Sequence, residues 1–147
     1  NPEKLIPKII FNALNNSEIP IYGNGENIRD WLYVEDHVDA IISVLTKGEI
    51  GEKYCIGGNE ERTNNEIAKL ICDYLDKVRP KNFSHKNLIN YVDDRKGHDF
   101  RYAIETSKIN KLLNWNPKIN FHKGIELTIN WYINNQVWCE NLIKNSI

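Results

Sequence analysis

Between Asp93 and Tyr102 the sequence DDRKGHDFRY crowds six formal charges and a histidine around one glycine. Asp94, Arg95, Lys96, Gly97 and His98 set an anion contact, a hydroxyl acceptor and a point of close backbone approach in one loop. Arginine is the informative member. Its planar fork matches phosphate oxygens two at a time, and it does not lose its charge. Arg29, Arg62 and Arg101 share this setting, each beside a turn or strand end rather than on a regular helix face. On residue types alone the commoner arrangement is a solvated loop, its arginines paired with Asp93, Asp94 and Asp99, because surface ion pairs form readily and contribute little.

Other chemistry has less support. His37, His85, His98 and His122 lack the spacing of a metal site. None of the serines sits in a nucleophile-elbow context. Asp36 and Asp39 fall at a helix start, where their charge complements the dipole. The four tryptophans fit core or interface positions. Tyr22, before a turn, offers either a ring face to a base or simple packing. Gly23-Asn24-Gly25 tempts a phosphate-loop reading, but a lone G-x-G between two strands lacks the strand-then-helix context of a dinucleotide fingerprint.

The elements that must hold the loop follow from periodicity. Apolar residues at 5, 6, 9, 10, 13 and 14 predict a helix over Leu5–Leu14, with Pro2 and Pro7 near its start. Two β-rich runs, Ile19–Tyr22 and Ile28–Val34, flank the G-N-G stretch and predict a hairpin-like turn. A helix follows to Gly48. EKYCIGG predicts a short strand. Thr63 and Glu66 form a T-x-x-E capping box for a helix through Leu75, stopped by Pro80. Strands are expected near Leu88–Val92 and Phe100–Ile104, on either side of the charged loop. A helix at Ser107–Asn114 comes next, then a long one from His122 to Lys144 with Ile125, Ile129, Tyr132 and Ile133 on one face. The fold class is therefore mixed α/β and helix-rich, without the strict alternation of a whole doubly wound sheet.

The chain has 147 residues, of which 41% are hydrophobic and 27% charged. That suits one domain with a core, spanning residues 1–147. A formal net charge of -1 gives no pull toward nucleic acid or an anionic membrane. No apolar run approaches the ~18–20 residues of a membrane span. Three widely spaced cysteines, with no C-x-x-C, suggest reduced and mostly buried thiols and a cytoplasmic setting. The chain opens Asn1-Pro2-Glu3 and contains no methionine, which suggests a piece of a longer protein.

Several stretches together carry a resemblance: PEKLIPKIIFNAL, IPIYGNGENIRDWLYVEDHVDAI, GEKYCIGGNEERTN, DDRKGHDFRYAIETSKI and LLNWNPKINFHKGIELTINWY. They resemble the C-terminal part of the dTDP-glucose 4,6-dehydratases, within the extended short-chain dehydrogenase/reductases. IRDWLYVEDH is shared with several nucleotide-sugar enzymes, and the DR-x-GHD-x-RYAI loop is the sharper marker. The resemblance moves the charged loop from solvated surface to ligand contact.

It implies an enzyme that binds NAD in an N-terminal Rossmann domain, mostly absent here. That enzyme oxidises C4 of the sugar, eliminates water across C5 and C6, and returns the hydride to C6. The catalytic Tyr and Lys and the acidic pair lie in the absent part, so no catalytic residue, cofactor contact or metal ligand is expected in this chain. By itself it is expected to be inactive, the substrate-nucleotide lid of a lyase. The implied dTDP-sugar contacts are Lys4, Leu5, Pro20, Ile21, Tyr22, Arg29, Asn64, Asp94, Arg95, Lys96, Gly97 and His98. The family has proline where this chain has Lys96, and a late tyrosine of its sugar site would lie beyond Ile147, so the piece is short at both ends. The whole enzyme would be a homodimer through the absent domain, and apolar surface near Leu5–Leu14 would be left uncovered. Two other readings remain: another nucleotide-sugar epimerase or dehydratase, and a non-catalytic nucleotide-sugar binding module.

Overall fold

The computed structural model describes residues 3–144, with side chains to Asn141. In chain order the elements are α1 (Leu5–Leu14), β1 (Ile19–Tyr22), β2 (Ile28–Asp30), α2 (Val34–Lys47), β3 (Glu61–Thr63), α3 (Asn64–Val78), a 3-10 turn (His85–Leu88), β4 (Ile89–Val92), β5 (Arg101–Tyr102), α4 (Ser107–Leu113), α5 (Phe121–Asn134) and α6 (Gln136–Lys144). They sort into two compact units. One holds residues up to Glu26, Thr63–His98 and the chain from Ile125; the other holds Asn27–Arg62 and Asp99–Gly124.

In the first unit α1 packs on α3 through the stripe its periodicity predicts. Ile9, Ile10 and Ala13 from α1 meet Ile67, Ala68, Ile71 and Leu75 from α3 in a core closed to solvent. The Leu5–Leu14 helix therefore buries its apolar face within its own unit rather than leaving it bare. The Thr63 side chain accepts from the Glu66 N–H while the Glu66 carboxylate receives the Thr63 N–H at 2.7 Å, the reciprocal box read from the sequence. Below the helices β1 and β4 run parallel, Ile19 opposite Ile89 and Tyr22 opposite Val92. Alternation along β1 buries Ile19 and Ile21 and turns Tyr22 outward.

The second unit centres on Ala40, Ile109, Leu113 and Trp115, with Leu32, Val44, Tyr54 and Ile56 packed around them. The chain also holds a three-stranded sheet in the order β3-β2-β5, with β2 and β5 parallel. Asp36 and Asp39 do more than complement a dipole. Asp36 is almost wholly buried and accepts the Lys118 and Ile119 N–H groups at 3.1 and 2.9 Å, and Asp39 accepts the Trp115 indole at 3.0 Å.

The structure corrects several expectations. β1 and β2 do not pair: each joins a different sheet, so Gly23–Gly25 is a turn between sheets and not a hairpin. EKYCIGG forms no strand among the described residues, although its burial still alternates, Tyr54 and Ile56 inward and Lys53 and Cys55 outward. The last helix is broken at Asn135. Cys72 and Cys139 are buried as expected, but Cys55 is exposed.

Candidate functional site

The charged loop is built outward from the C-terminal ends of two parallel strands. Register sets Tyr22 beside Val92, and the Gly23 N–H donates to the Val92 carbonyl at 2.9 Å. The turn after β1 and the loop after β4 therefore leave from the same end. Arg95 and His98 fold back over Tyr22. The Arg95 guanidinium lies 5.1 Å from the centre of the Tyr22 ring, and the His98 ring meets it edge-on at 6.5 Å.

Hydrogen bonds fix the order of charge in this cluster. Arg95 Nη2 approaches His98 Nε2 at 2.8 Å, and His98 Nδ1 approaches Asp94 Oδ1 at 2.6 Å. Arginine cannot accept, so it donates and Nε2 is the accepting nitrogen. Nδ1 then carries the proton directed at Asp94. Asp94 Oδ1 also accepts the Arg95 backbone N–H at 2.8 Å. The His98 contact, with the Arg95 N–H in support and against some desolvation, holds the Asp94 carboxyl below its usual range. The four side chains form a relay running carboxylate, imidazole, guanidinium, ring.

The loop closes in a tight turn. The Arg95 carbonyl accepts the His98 N–H at 3.1 Å and Gly97 has φ of +72°. That places Gly97 third in a turn that needs positive φ there, and Lys96 second, where proline is the preferred residue. The family's proline fits that position, and the lysine leaves the turn less restricted.

The remaining expected residues divide. Lys4 caps α1 and is exposed, with its carbonyl accepting from Lys8, and Leu5 opens the helix half-buried. Pro20 is half-buried, Ile21 is wholly in the core, and Asn64 is 8% exposed at the start of α3. A ligand could reach Ile21 through its backbone only. Arg29 lies in the second unit, where its guanidinium donates to the carbonyls of Asp99 (2.9 Å) and Phe100 (3.4 Å) and sits 4.6 Å over the Tyr102 ring. It fastens β2 to β5. Arg62 pairs with Glu60, and Arg101 makes a two-pronged pair with Glu61 at 2.6 Å. Arg95, unlike Arg62 and Arg101, has no carboxylate within ion-pair distance among the described residues.

One supporting residue escaped the sequence reading. Asn65 donates to the Asn24 carbonyl at 2.9 Å and to Glu26 at 2.7 Å, and accepts the Tyr91 hydroxyl at 3.0 Å. Its backbone N–H donates to the Gly25 carbonyl at 3.0 Å. It thus pins the turn that follows Tyr22. Its neighbour Asn64 drew attention instead, and no local signal distinguishes the two.

A dinucleotide cradle needs glycine backbone standing open at a helix start. The Gly23–Gly25 turn leads into a strand, and the Asn65 carboxamide fills the space beside Gly25. That turn does not fit a dinucleotide. No group of three or more His, Cys, Asp or Glu among them could hold a metal, and no helix among them is long and apolar enough to cross a membrane.

A family model described as GDP-mannose 4,6 dehydratase matches residues 1–128. Among curated proteins, dTDP-glucose 4,6-dehydratase 1 of Escherichia coli K12 is 50% identical over 141 residues, covering 96% of this chain and 39% of its own length. The crystal structure of a dTDP-glucose 4,6-dehydratase from Bacillus anthracis in complex with NAD superposes with a TM-score of 0.84 at 46% identity, over 93% of this chain and 41% of that one. One from Streptomyces venezuelae, with NAD and dTDP bound, gives 0.86 at 38% identity, over 94% and 41%. The chain thus spans about two fifths of the relatives it matches.

Proposed function

The chain belongs to the GDP-mannose 4,6 dehydratase family, and from that premise we propose that it is the nucleotide-sugar-binding part of a dTDP-glucose 4,6-dehydratase, a lyase. The observation that carries the reading is the Arg95 guanidinium held over Tyr22 at the carboxyl ends of parallel strands. Ligands of open α/β folds collect at such ends. A nucleoside diphosphate brings what this cluster lacks: phosphate oxygens for the arginine fork and a flat base for the ring. Asp94, drawn into the ionised form by His98, serves as an acceptor for a sugar hydroxyl.

The redox part of the reaction falls outside this chain, whose Gly23–Gly25 turn offers no dinucleotide cradle. On its own the chain binds the nucleotide and does not turn over. Calorimetric titration with dTDP, against UDP and GDP, tests this directly. Selective heat with dTDP supports the reading; preference for UDP or GDP moves it to a different nucleotide-sugar enzyme; no binding to any of the three counts against a pocket formed by these residues.

A further inference from the structure

The Gly23–Gly25 turn contains a dipeptide with chemistry of its own. Asn24 is followed by glycine, whereas every other asparagine of the chain precedes a residue that carries a side chain. The backbone nitrogen after an asparagine can attack its carboxamide carbon, and a β-carbon on the attacking residue crowds the approach. Gly25 has none, and its backbone is the freer to move.

The structure supplies the other requirements. Asn24 is exposed, so water reaches its carboxamide. Its Oδ1 accepts the Glu26 N–H at 3.1 Å, which turns the carboxamide along the chain that follows it instead of out to solvent. The same donor stabilises the negative charge that gathers on Oδ1 as the carbon becomes tetrahedral. The nucleophile is lightly held. The Gly25 N–H donates to the Tyr22 carbonyl at 3.2 Å, the long end of the normal range.

One side chain opposes the attack. The Gly25 nitrogen reaches Asn24 Cγ only when the peptide between the two residues rotates. Asn65 grips that peptide by its oxygen, donating from Nδ2 to the Asn24 carbonyl at 2.9 Å. Its backbone N–H holds the next carbonyl, that of Gly25, at 3.0 Å. Glu26 and the Tyr91 hydroxyl fix the Asn65 carboxamide in turn.

We propose that Asn24 is a site of spontaneous deamidation, and that Asn65 sets its rate by restraining the Asn24–Gly25 peptide. The Gly25 nitrogen bonds to Asn24 Cγ, the Cγ–Nδ2 bond breaks, and ammonia leaves with the Gly25 amide proton. Water then opens the cyclic imide. Cleavage of the new bond leaves aspartate; cleavage of the original peptide bond leaves isoaspartate, with the chain running through the side-chain carbon. Nothing is oxidised or reduced. Either product adds a carboxylate two residues from Glu26. Isoaspartate also lengthens the turn after Tyr22 by one backbone atom, which moves its carbonyls off Asn65. The inference stands on the turn and does not depend on the nucleotide reading.

The test is to age the folded chain in mildly alkaline buffer and map its peptides by mass spectrometry, with chromatography to separate aspartate from isoaspartate. Asn24 should convert first and give both products. Asn16, followed by the small Ser17, is the internal reference; conversion there ahead of Asn24 would overturn the site. Asn65→Ala should speed conversion at Asn24 about three- to tenfold, the factor for one ordinary hydrogen bond, and leave Asn16 unchanged. Asn65→Asp keeps the shape and the acceptor for Tyr91 but loses the donor, and should act in the same direction. Unchanged rates at Asn24, or a parallel rise at Asn16, would overturn the restraint. A comparison without variants is the native chain in urea, where Asn24 should convert at least about tenfold faster than in the folded chain. Equal rates in the two states would mean that Asn65 restrains nothing.

Discussion

Arg95 donates to His98 Nε2 at 2.8 Å, and His98 in turn donates to Asp94 at 2.6 Å, so the guanidinium is aimed by an imidazole and not held directly by a carboxylate. In this it differs from Arg62 and Arg101, whose charges Glu60 and Glu61 take up. If it engages a diphosphate, Arg95→Glu should remove dTDP binding from calorimetric detection. Arg95→Lys keeps the charge but loses the fork, and should weaken binding by about tenfold or more. Equal affinity for both variants and the native chain would dissociate the loop from the ligand.

The second position of the Arg95–His98 turn carries Lys96, where a proline would restrict the unbound loop. Lys96→Pro should stabilise the chain by about 0.5–1 kcal/mol through the unfolded state. It should also tighten dTDP binding a few-fold by reducing the freedom lost on docking. The competing possibility, that Lys96 itself touches phosphate, predicts weaker binding for the same variant. Paired urea titration and calorimetry distinguish the two.

Gly25 has φ of +74°, and a β-carbon there would overlap the Asn65 carboxamide. Gly25→Ala therefore faces two costs: a left-handed backbone for an L-residue, and displacement of the side chain that pins the turn. The expected loss is about 2 kcal/mol or more in urea unfolding. Adding Asn65→Ala removes the overlap but not the backbone cost. The double variant should thus lose less than the two single losses added together, and strict additivity would show that the contact is not the cause.

How much of this was legible beforehand depended on how far a residue's partner lay along the chain. The Thr63–Glu66 box and the Leu5–Leu14 stripe are local, and both stand as read. The hairpin was misread because a G-N-G turn between two β-rich runs says nothing about distant ladders: β1 pairs with β4, and β2 with β5. EKYCIGG has a strand's pattern, but a strand exists only with a partner. In the site, residue types singled out Arg95, Asp94 and His98, yet could not tell Arg95 from Arg101, whose charge Glu61 takes up from a distant segment. Asn65 was missed for the same reason, since its contacts reach back to Asn24 and Glu26.

The same dependence on distant partners governs the acid limit of the first unit. His85 is wholly buried, with Nδ1 bonded to Asp76 and Nε2 without a partner. Burial pushes the Asp76 carboxyl up, but the His85 N–H, the Ser84 hydroxyl and the His85 ring outweigh it and hold it at about 2. A carboxyl lowered in the folded state binds its proton more weakly there than in the unfolded chain. Its stabilising share is therefore complete above the ordinary value of 3.8 and disappears as pH falls through about 2. Asp76→Asn keeps the shape but not the charge. It should lower stability by about 2 kcal/mol at pH 6, and the gap to the native chain should close between about pH 4 and 2. Urea unfolding of both proteins across that range checks it. A gap that stays constant with pH would mean that hydrogen-bond geometry, and not the ionised carboxylate, is what holds the 3-10 turn against α3.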